Sequence, residues 1–372
     1  MLAVLVTATV LAPSAGAIVH GTSVVGAAFA APIAYVEIAS PHGRTATCSG
    51  TLISPTVVMT AAHCVYQESK QGDLLGIATP TEISVRVGST DVSNPTLGVS
   101  AGVVAVLPQP YYRWDGDRHF HDIALLALDR AMPQTPATLA EQAPSAGESL
   151  LIAGYGMTST SDASPPSLLR AALIDAADPS SCKLVSERFD PSWLFCGAAS
   201  TDPTEPGGTA CYGDSGGPAF AVENTPTNVV VEGIISYGSR ADCEYSRSYL
   251  VLVSSERGFI DRALATSPTQ WAQLRDNPPS ATIRSVRSQV GKDGVLSLRI
   301  DDDKSQHSRV YISFYTHAGK RLGHTFRAVA TNRWVHFALS PAPTSFSGYV
   351  CAQGADDTAK ESNLACAKDV VR

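Results

Sequence analysis

The chain has 372 residues, of which 44% are hydrophobic and 16% charged, so it is long enough for two or three domains with packed cores. Its formal net charge of −7, without a run of basic residues, argues against a nucleic-acid or anionic-membrane partner. Eight cysteines without a Cys-x-x-Cys pair are typical of an exported protein with disulfides, and neither a metal nor a cofactor is expected.

The first 17 residues have the pattern of an export signal. Residues 1–12 form an apolar stretch that is too short to span a bilayer, and Ser14-Ala15-Gly16-Ala17 ends in the A-x-A pattern of a signal-peptidase site. No later segment is long and apolar enough for a membrane span. The sequence therefore predicts a secreted, extracellular protein that is cleaved after Ala17.

From residue 34 onward, short β-branched and apolar runs recur between clusters of Gly, Pro and Ser. This rhythm predicts an all-β protein of barrels or sandwiches, since helical periodicity is scarce. The runs expected to form strands are 34–38, 51–60, 83–87, 103–107, 150–153 and 229–236. A helix is expected at residues 255–265, where Phe259, Ile260 and Leu264 recur at near-helical spacing.

Two motifs supply a base and an acid. Thr60-Ala61-Ala62-His63-Cys64 places a histidine directly after an apolar run, and His121-Asp122-Ile123 places an aspartate at the start of another. A histidine there can take a proton from a hydroxyl, and a half-buried carboxylate can accept the imidazole N–H and hold its tautomer. His119 and His121, which flank the aspartate, are interpreted as loop residues.

Gly213-Asp214-Ser215-Gly216-Gly217-Pro218 supplies a nucleophile. Its glycines let the backbone turn sharply and present amide protons beside the Ser215 hydroxyl, as an oxyanion hole requires. The same letters fit the G-x-S-x-G elbow of α/β-hydrolases, whose triad runs serine, acid, histidine. The histidines that follow Ser215 all lie in a compositionally distinct tail, beyond residue 300, which argues against the elbow.

Residues 267–280 hold three prolines and many polar residues and are interpreted as a linker, with Trp271 as one docking residue. Residues 281–372 alternate apolar and polar residues again, which predicts a small accessory β-sandwich-like domain of immunoglobulin or fibronectin type III kind. Its aromatics are either core residues or a surface that contacts a glycan or a cell. Asp301-Asp302-Asp303 is interpreted as a solvated turn rather than as a calcium site.

In the order His63, Asp122, Ser215 and in the sequences around them, residues 18–264 resemble the chymotrypsin-like (trypsin-like, S1-type) serine peptidases. The resemblance implies an all-β domain over residues 18–266, built of two six-stranded antiparallel β-barrels with a C-terminal helix and a cleft between the barrels. It implies His63 as general base and acid, Asp122 as its orienting partner and Ser215 as nucleophile, with the Gly213 and Ser215 amides as the oxyanion hole.

The activity implied is that of a secreted serine endopeptidase, which hydrolyses protein or peptide substrates through an acyl-enzyme. The alternative is an inactive homologue that serves as a binding protein. Such proteins usually lack a triad residue, whereas this chain has His63, Asp122 and Ser215.

The resemblance also selects among the many pairings of eight cysteines. It implies a bridge from Cys48 to Cys64 around the base, one from Cys182 to Cys196 in the second half, and one from Cys211 to Cys243 around the specificity pocket. Cys351 and Cys366 are then left for a bridge in the tail.

Ile18-Val19-His20-Gly21 resembles the N-terminus of activated family members, except that His20 replaces a glycine. By this resemblance the α-ammonium of Ile18 folds inward and pairs with Asp214, and without it the oxyanion hole is malformed. No separate pro-segment is visible before Ile18, so one cleavage is expected to serve both export and activation.

The substrate pocket is expected between Thr209 and Cys211 and between Ser236 and Tyr249. Thr209 stands at the pocket floor, where trypsins carry an aspartate, so cleavage after Lys or Arg is not expected. Ser236-Tyr237-Gly238 resembles the edge segment that pairs with extended substrate.

Two specificities remain open. Either a neutral pocket takes apolar side chains, or Arg247 projects into it and binds a substrate Asp or Glu. A solvent-facing Arg247, paired with Glu244 or Asp242, is the third alternative.

Overall fold

The structure is a computed structural model of the chain. It divides into two compact units, Met1–Trp271 and Ala272–Arg372, which are described separately. The predicted export signal, residues 1–17, lies outside the described residues. The described residues are 18–24, 28–39, 45–68, 74–110, 112–114, 119–162, 165, 167–185, 189–201, 207–222, 229–239, 242–243, 246–276, 283–290, 296–302, 307–316, 321–330, 334–337, 347–354 and 364–371.

Unit 1 is built mostly of antiparallel strands with few helices. Its strands are β1 (Thr22–Ser23), β2 (Ile33–Ala39), β3 (Thr45–Ser54), β4 (Val57–Thr60), β5 (Tyr66–Glu68), β6 (Leu74–Ile77), β7 (Ile83–Val87), β8 (Val99–Pro108), β9 (Arg113–Trp114), β10 (His119–Phe120), β11 (Ala124–Leu128), β12 (Thr138–Leu139), β13 (Ser149–Gly154), β14 (Arg170–Ala176), β15 (Leu194–Ala199), β16 (Pro218–Ala221), β17 (Val230–Gly238) and β18 (Ser248–Leu252). Its helices are α1 (Ala62–Val65), α2 (Pro179–Val185) and α3 (Val253–Leu264), and α4 (Trp271–Asp276) follows. Short 3₁₀ turns occupy Ala28–Ala30, Pro80–Glu82 and Pro268–Gln270.

The first barrel closes in the order β11-β4-β3-β2-β7-β8. Its core forms because strands such as β2 turn alternate side chains inward: Ala34, Val36 and Ile38 are buried. In the pairing of β4 with β11, Thr60 lies opposite Ala124. The residues just after β4 therefore meet the residues just before β11, which is where the sequence predicts the base and the acid.

The second barrel contains β14-β13-β16-β17-β18-β15, and pairing of β14 with β15 closes it. Strand β1 pairs with β14, and β12 pairs in parallel with β17. The core includes Leu150, Ile174 and Ile235. The barrel pair and the helix α3 confirm the predicted fold of this unit.

Local boundaries differ from the predictions most clearly in the run 51–60 and at the start of α3. The run 51–60 was expected to be one strand, but it is the end of β3 and all of β4, joined by a turn at Pro55 and Thr56. Proline has no N–H for a ladder hydrogen bond, which explains the break. The helix expected at 255–265 begins two residues earlier, at Val253.

The segment interpreted as a linker starts with ordered helical turns. After the 3₁₀ turn Pro268–Gln270, α4 begins at Trp271, whose side chain is buried. The indole N–H of Trp271 donates to the carbonyls of Ala263 at 3.1 Å and Thr266 at 3.3 Å. A buried ring with its polar atom satisfied fits the docking role predicted for this residue.

Unit 2 is described by the backbone of its strands: β19 (Ile283–Val290), β20 (Leu296–Asp302), β21 (His307–Thr316), β22 (Arg321–Ala330), β23 (Trp334–Phe337), β24 (Ser347–Gly354) and β25 (Leu364–Val371). They form one sheet in the order β19-β20-β23 and one in the order β22-β21-β24-β25. Cys351 and Cys366 are register partners in β24 and β25. The structure describes only the backbone of these two residues, so the disulfide between Cys351 and Cys366 stays a prediction.

Across the described ranges of both units, no helix combines the length and the apolar content that a membrane crossing needs.

Candidate active site

His63 and Asp122 are joined by two hydrogen bonds. His63 lies in the short helix α1, directly after β4, and its backbone N–H donates to Oδ1 of Asp122 at 2.8 Å. Its ring atom Nδ1 lies 2.7 Å from Oδ2 of the same carboxylate. Each carboxylate oxygen thus fixes a different part of the histidine residue, and a proton on Nδ1 leaves Nε2 as the basic atom.

Asp122 is fully buried, and the hydroxyl of Ser236 donates to its Oδ2 at 2.5 Å. Burial alone would raise the pKa of this carboxyl. The charge and the hydrogen bond of His63, the charge of His119 and the Ser236 hydrogen bond together outweigh burial and hold the pKa well below its usual range. Asp122 is therefore an anion at neutral pH, as a residue that orients an imidazole must be.

Ser215 lies on a loop of the second barrel that is pressed against the segment before His63. Gly216 has a φ of +82°, and a Cβ there would collide with Thr60, Ala61 and Ser49. The carbonyl of Ser215 accepts a hydrogen bond from the backbone N–H of Ser49 at 2.8 Å. Glycine at 216 is thus required both by the left-handed backbone and by the close approach of the two barrels.

The amides predicted for the oxyanion hole are available. Gly213 has a φ of +99°, and neither its N–H nor that of Ser215 donates a hydrogen bond within the part of the chain that the structure describes. In that same part, no hydrogen bond joins the Ser215 hydroxyl to His63. The structure therefore brings His63 and Asp122 together and places Ser215 on the adjoining loop, without the third hydrogen bond of the predicted triad.

The loop interpretation is wrong for His119, which lies in a strand, whereas His121 lies in the connection between β10 and β11, as expected. His119 lies in β10, its ring centroid 4.7 Å from that of His63, and its Nδ1 lies 2.9 Å from the hydroxyl of Tyr112. His121 is buried, which also removes it from contact with substrate. The sequence signal, two histidines beside the acid, was present but gave no direction for either ring.

Potential metal ligands converge at the site, but several of their donor atoms are already engaged. Within the described residues, donor atoms of His63, His119 and Asp122 lie within 4.8 Å of one another, as do those of Cys48, His63 and Cys64. The two sulfurs are bonded to each other, and the Asp122 oxygens accept from His63 and Ser236. This arrangement suits proton transfer rather than metal binding.

Asp214 is fully buried beside the Ser215 loop. It accepts backbone N–H groups from Gly156 at 2.8 Å, from Cys211 at 2.9 Å and from Ile18. Burial raises the pKa of Asp214 to about 7, although these three donors act in the opposite direction. Ile18 itself is buried, with a φ of +56°. The two residues that the sequence linked to activation are therefore in contact.

The predicted pocket floor is neutral and has its hydroxyl satisfied. Thr209 is buried, and its Oγ1 donates to the carbonyl of Cys243 at 2.6 Å. Its backbone pairs with Val19, next to Ile18. Tyr237 of the edge segment stacks on Tyr249, with centroids 4.8 Å apart and planes at 8°, while Gly238 is exposed.

Arg247 is half-buried and is held by neutral groups. Its guanidinium donates to Oγ of Ser181 at 3.1 Å and lies 3.8 Å from Sγ of Cys196. No carboxylate pairs with it among the residues that the structure describes. Glu244, one of its suggested partners, lies outside those residues.

Three disulfides surround the site: Cys48–Cys64, Cys182–Cys196 and Cys211–Cys243. They are the pairs that the resemblance implied. The first ties β3 to the helix that carries His63, and the third ties the segment before Ser215 to the segment before Arg247. Such bridges restrict the unfolded chain and hold these loops in register.

The known proteins that resemble this chain match it within unit 1. The trypsin family model matches residues 18–257. Serine protease SP24D of Anopheles gambiae is 32% identical over 217 residues, covering 57% of this chain and 71% of that protein. Chymotrypsin-like elastase family member 1 of Macaca fascicularis is 30% identical over 237 residues, covering 59% and 80%. The solved structure of neuropsin, a serine protease of mouse brain, is 22% identical with a TM-score of 0.54 and covers 66% of this chain and all of that chain.

Proposed function

This chain belongs to the trypsin family and is a serine endopeptidase, and we propose that Ser215 is its nucleophile, His63 its general base and acid, and Asp122 the residue that orients His63. The observation that carries this assignment is the double hydrogen bond between His63 and the buried Asp122. It leaves Nε2 of His63 basic and directed away from the carboxylate. These roles are those of the general serine-peptidase template.

In the reaction, Nε2 of His63 takes the proton of the Ser215 hydroxyl as Oγ attacks the substrate carbonyl carbon. The carbonyl oxygen becomes an oxyanion that accepts from the Gly213 and Ser215 amides. The imidazolium then gives its proton to the leaving amine, which leaves an acyl-enzyme. Water then attacks the acyl carbon and loses a proton to His63. As the bond from that carbon to Oγ breaks, His63 returns the proton to Ser215 and the acid product leaves. The absence of a Ser215–His63 hydrogen bond without substrate is compatible with this sequence, because catalytic hydrogen bonds are often long before substrate binds.

Activation by cleavage before Ile18 is the second part of the proposal. In the uncleaved chain the Ile18 amide donates one N–H to Asp214. Hydrolysis of the Ala17–Ile18 bond would turn this amide into an ammonium at the same place, and a positive charge there would neutralise a buried carboxylate. The neighbouring Gly213 and Ser215 amides depend on the position of Asp214, so the cleavage would complete the oxyanion hole.

For specificity, we favour cleavage after acidic residues. Thr209 supplies no negative charge for a Lys or Arg of the substrate. The Arg247 guanidinium, half-buried and bonded to neutral groups, supplies a positive charge that a substrate carboxylate can satisfy with charge-assisted hydrogen bonds. A pocket for apolar side chains is the alternative, and it follows if Arg247 does not reach the substrate.

Two further predictions, secretion and a C-terminal accessory domain, belong to the proposal. Secretion is supported by the apolar stretch and A-x-A pattern of residues 1–17. An accessory β-sandwich over residues 281–372 is supported by antiparallel sheets of three and four strands. A glycan or cell-surface contact of that domain stays a prediction.

The decisive experiment compares wild type, Ser215→Ala and the control Ser93→Ala, which removes an exposed side-chain hydrogen bond to Asp91. Fluorogenic peptides that differ only in the residue before the scissile bond report hydrolysis, and a fluorophosphonate reports the nucleophile. We expect Ser215→Ala to lose at least about 10⁴-fold in kcat and all labelling. A folded wild type that neither turns over substrate nor reacts would instead support the binding-protein alternative.

A further inference from the structure

A buried polar network surrounds the backbone of Asp122. Nδ1 of His121 lies 2.7 Å from Oε1 of Glu256, and Nε2 of Gln109 donates to Oε2 of Glu256 at 2.9 Å. His121, Glu256 and Gln109 are 2%, 1% and 1% exposed. Buried polar groups of this kind are costly unless each is bonded, so the arrangement of the network is narrowly defined.

The network holds both sides of Asp122. On one side, His121 is the preceding residue, and its φ of +50° is unusual for a residue other than glycine. On the other side, the carbonyl of Ile123 accepts the backbone N–H of Gln109 at 2.9 Å. The N–H of Ile123 also donates to the carbonyl of His121 at 2.8 Å, which makes Asp122 the middle residue of a γ-turn. Each carboxylate oxygen of Glu256 is therefore connected to one flank of this turn.

Glu256, which connects to both flanks of the turn, belongs to the helix that follows the second barrel. Glu256 lies in the first turn of α3, and Trp193, whose ring centroid lies 5.0 Å from that of His121, comes just before β15. The carbonyl of Trp193 accepts from the N–H of Leu252, the residue before α3. His121 thus contacts both the ring of Trp193 and, through Glu256, the first turn of α3.

We infer that Glu256, acting through His121 and Gln109, is a positioning residue that fixes the Asp122 carboxylate and thereby His63. This rests on the proposed function of Asp122 and His63. A displaced Asp122 carboxylate would weaken the bond to His63 Nδ1, destabilise the imidazolium that forms during the reaction, and misplace the base relative to Ser215. Errors of an ångström in such a constellation lower rates strongly.

The test uses full-length Glu256→Gln, His121→Asn and the double variant. Glutamine has nearly the shape of glutamate, but one of its terminal atoms is a donor, so it cannot accept from both His121 and Gln109. Asparagine tolerates a positive φ and is too short to reproduce the bond to Glu256. Arg257→Gln is the matched control, since it removes an anchor of α3, the bond to the Leu139 carbonyl, without touching the Asp122 turn.

We expect both single variants to lower kcat about tenfold with KM changed less than about twofold, and the double variant to be no worse than either one. Arg257→Gln should keep the wild-type kcat. Independently of activity, NMR titration of the His63 ring in a Ser215→Ala background should give a lower pKa for His63 in Glu256→Gln than in Arg257→Gln.

Reduced thermal stability with unchanged kcat and unchanged His63 pKa would overturn the inference and leave Glu256 a purely structural residue. If the wild-type chain does not hydrolyse peptides, the proposed function fails, and the His63 titration still decides whether Glu256 positions the histidine–aspartate pair.

Discussion

The hydroxyl of Ser236, in the second barrel, donates a 2.5 Å hydrogen bond to Oδ2 of Asp122, which precedes the last strand of the first barrel. The sequence assigned Ser236 only to the strand edge that pairs with substrate. Its side chain instead reaches across to the acid, so the segment that would bind substrate also touches the catalytic pair. Substrate contact and orientation of His63 are thus physically connected.

Ser236→Ala is expected to lower kcat about tenfold, because Asp122 loses a donor that stabilises its charge. The folded-state pKa of Asp122 lies below its ordinary 3.8, so its contribution to stability is present above about pH 4 and lost as the pH falls. The variant should reduce this contribution. Peptide kinetics at neutral pH and thermal unfolding between about pH 3 and 7 measure both effects; wild-type kcat in a folded variant would contradict the assigned role.

Cleavage before Ile18 is expected to stabilise the protein in a pH-dependent way. In the uncleaved chain the Asp214 pKa is raised to about 7 from 3.8, so the group favours folding at low pH, and that stability is lost as the pH rises from about 4 to 7. An Ile18 ammonium removes this loss. In a Ser215→Ala background, the Tm difference between a chain that starts at Ile18 and one that keeps residues 14–17 should grow from pH 5 to 7.5.

The same Tm difference should shrink again above about pH 8 as the ammonium deprotonates, somewhat later if pairing with Asp214 raises its pKa. Asp214→Asn is the matched control, since it leaves no carboxylate to neutralise. A Tm difference that does not vary with pH, or that persists in Asp214→Asn, would refute the pairing.

Arg247→Gln is expected to lower kcat/KM for substrates with Asp or Glu before the scissile bond by at least about tenfold, because the charge-assisted bond to the carboxylate is lost. Activity on apolar residues should change little. Thr209→Asp, which adds a negative charge at the pocket floor, should reduce acidic preference as well. An unchanged substrate profile in Arg247→Gln would favour the apolar pocket, and dominant cleavage after Lys or Arg in wild type would refute both readings.

Trp271→Ala is expected to lower the free energy of unfolding of unit 1 by about 3 kcal/mol. The ring is 1% exposed and its N–H is bonded to the end of α3, so its removal leaves a cavity and two carbonyls without their donor. Leu264→Ala, on the same helix but 38% exposed, is the control and should cost less than about 1 kcal/mol. The free energies of unfolding are measured by urea unfolding followed by tryptophan fluorescence and circular dichroism. If Trp271 were not docked, Trp271→Ala and Leu264→Ala would lower the free energy of unfolding equally.

Strands with regular alternation of apolar and polar residues were predicted correctly from the sequence. The strand predicted at 83–87 coincides with β7, and 34–38 lies within β2, because β-branched residues alternate there with polar ones. Strands β15 and β18 were not predicted, since their short runs are mostly buried on both faces and lack alternation. Strand β14 was not predicted because few polar residues separate the apolar ones in its sequence, although its burial alternates from Ala172 to Ala176. Helix α2 has no amphipathic period long enough to detect.

Hydrogen bonds between side chains of distant segments were not predicted from the sequence. His121 and Glu256 are separated by 135 positions, and Ser236 and Asp122 by 114. No local pattern records which of two histidines turns into the core and which covers His63. These choices depend on how α3 and β17 pack against the first barrel.

The order of chemical groups along the chain was determined by the sequence alone: a histidine, an aspartate and a glycine-flanked serine whose surroundings identify the reaction. Their relations in space were decided by the tertiary structure. A local sequence fixes residue chemistry and backbone tendency, whereas the ionisation of Asp122, the raised pKa of Asp214 and the network of Glu256 arise from burial and from contacts between distant segments. Those contacts exist only once both barrels have closed.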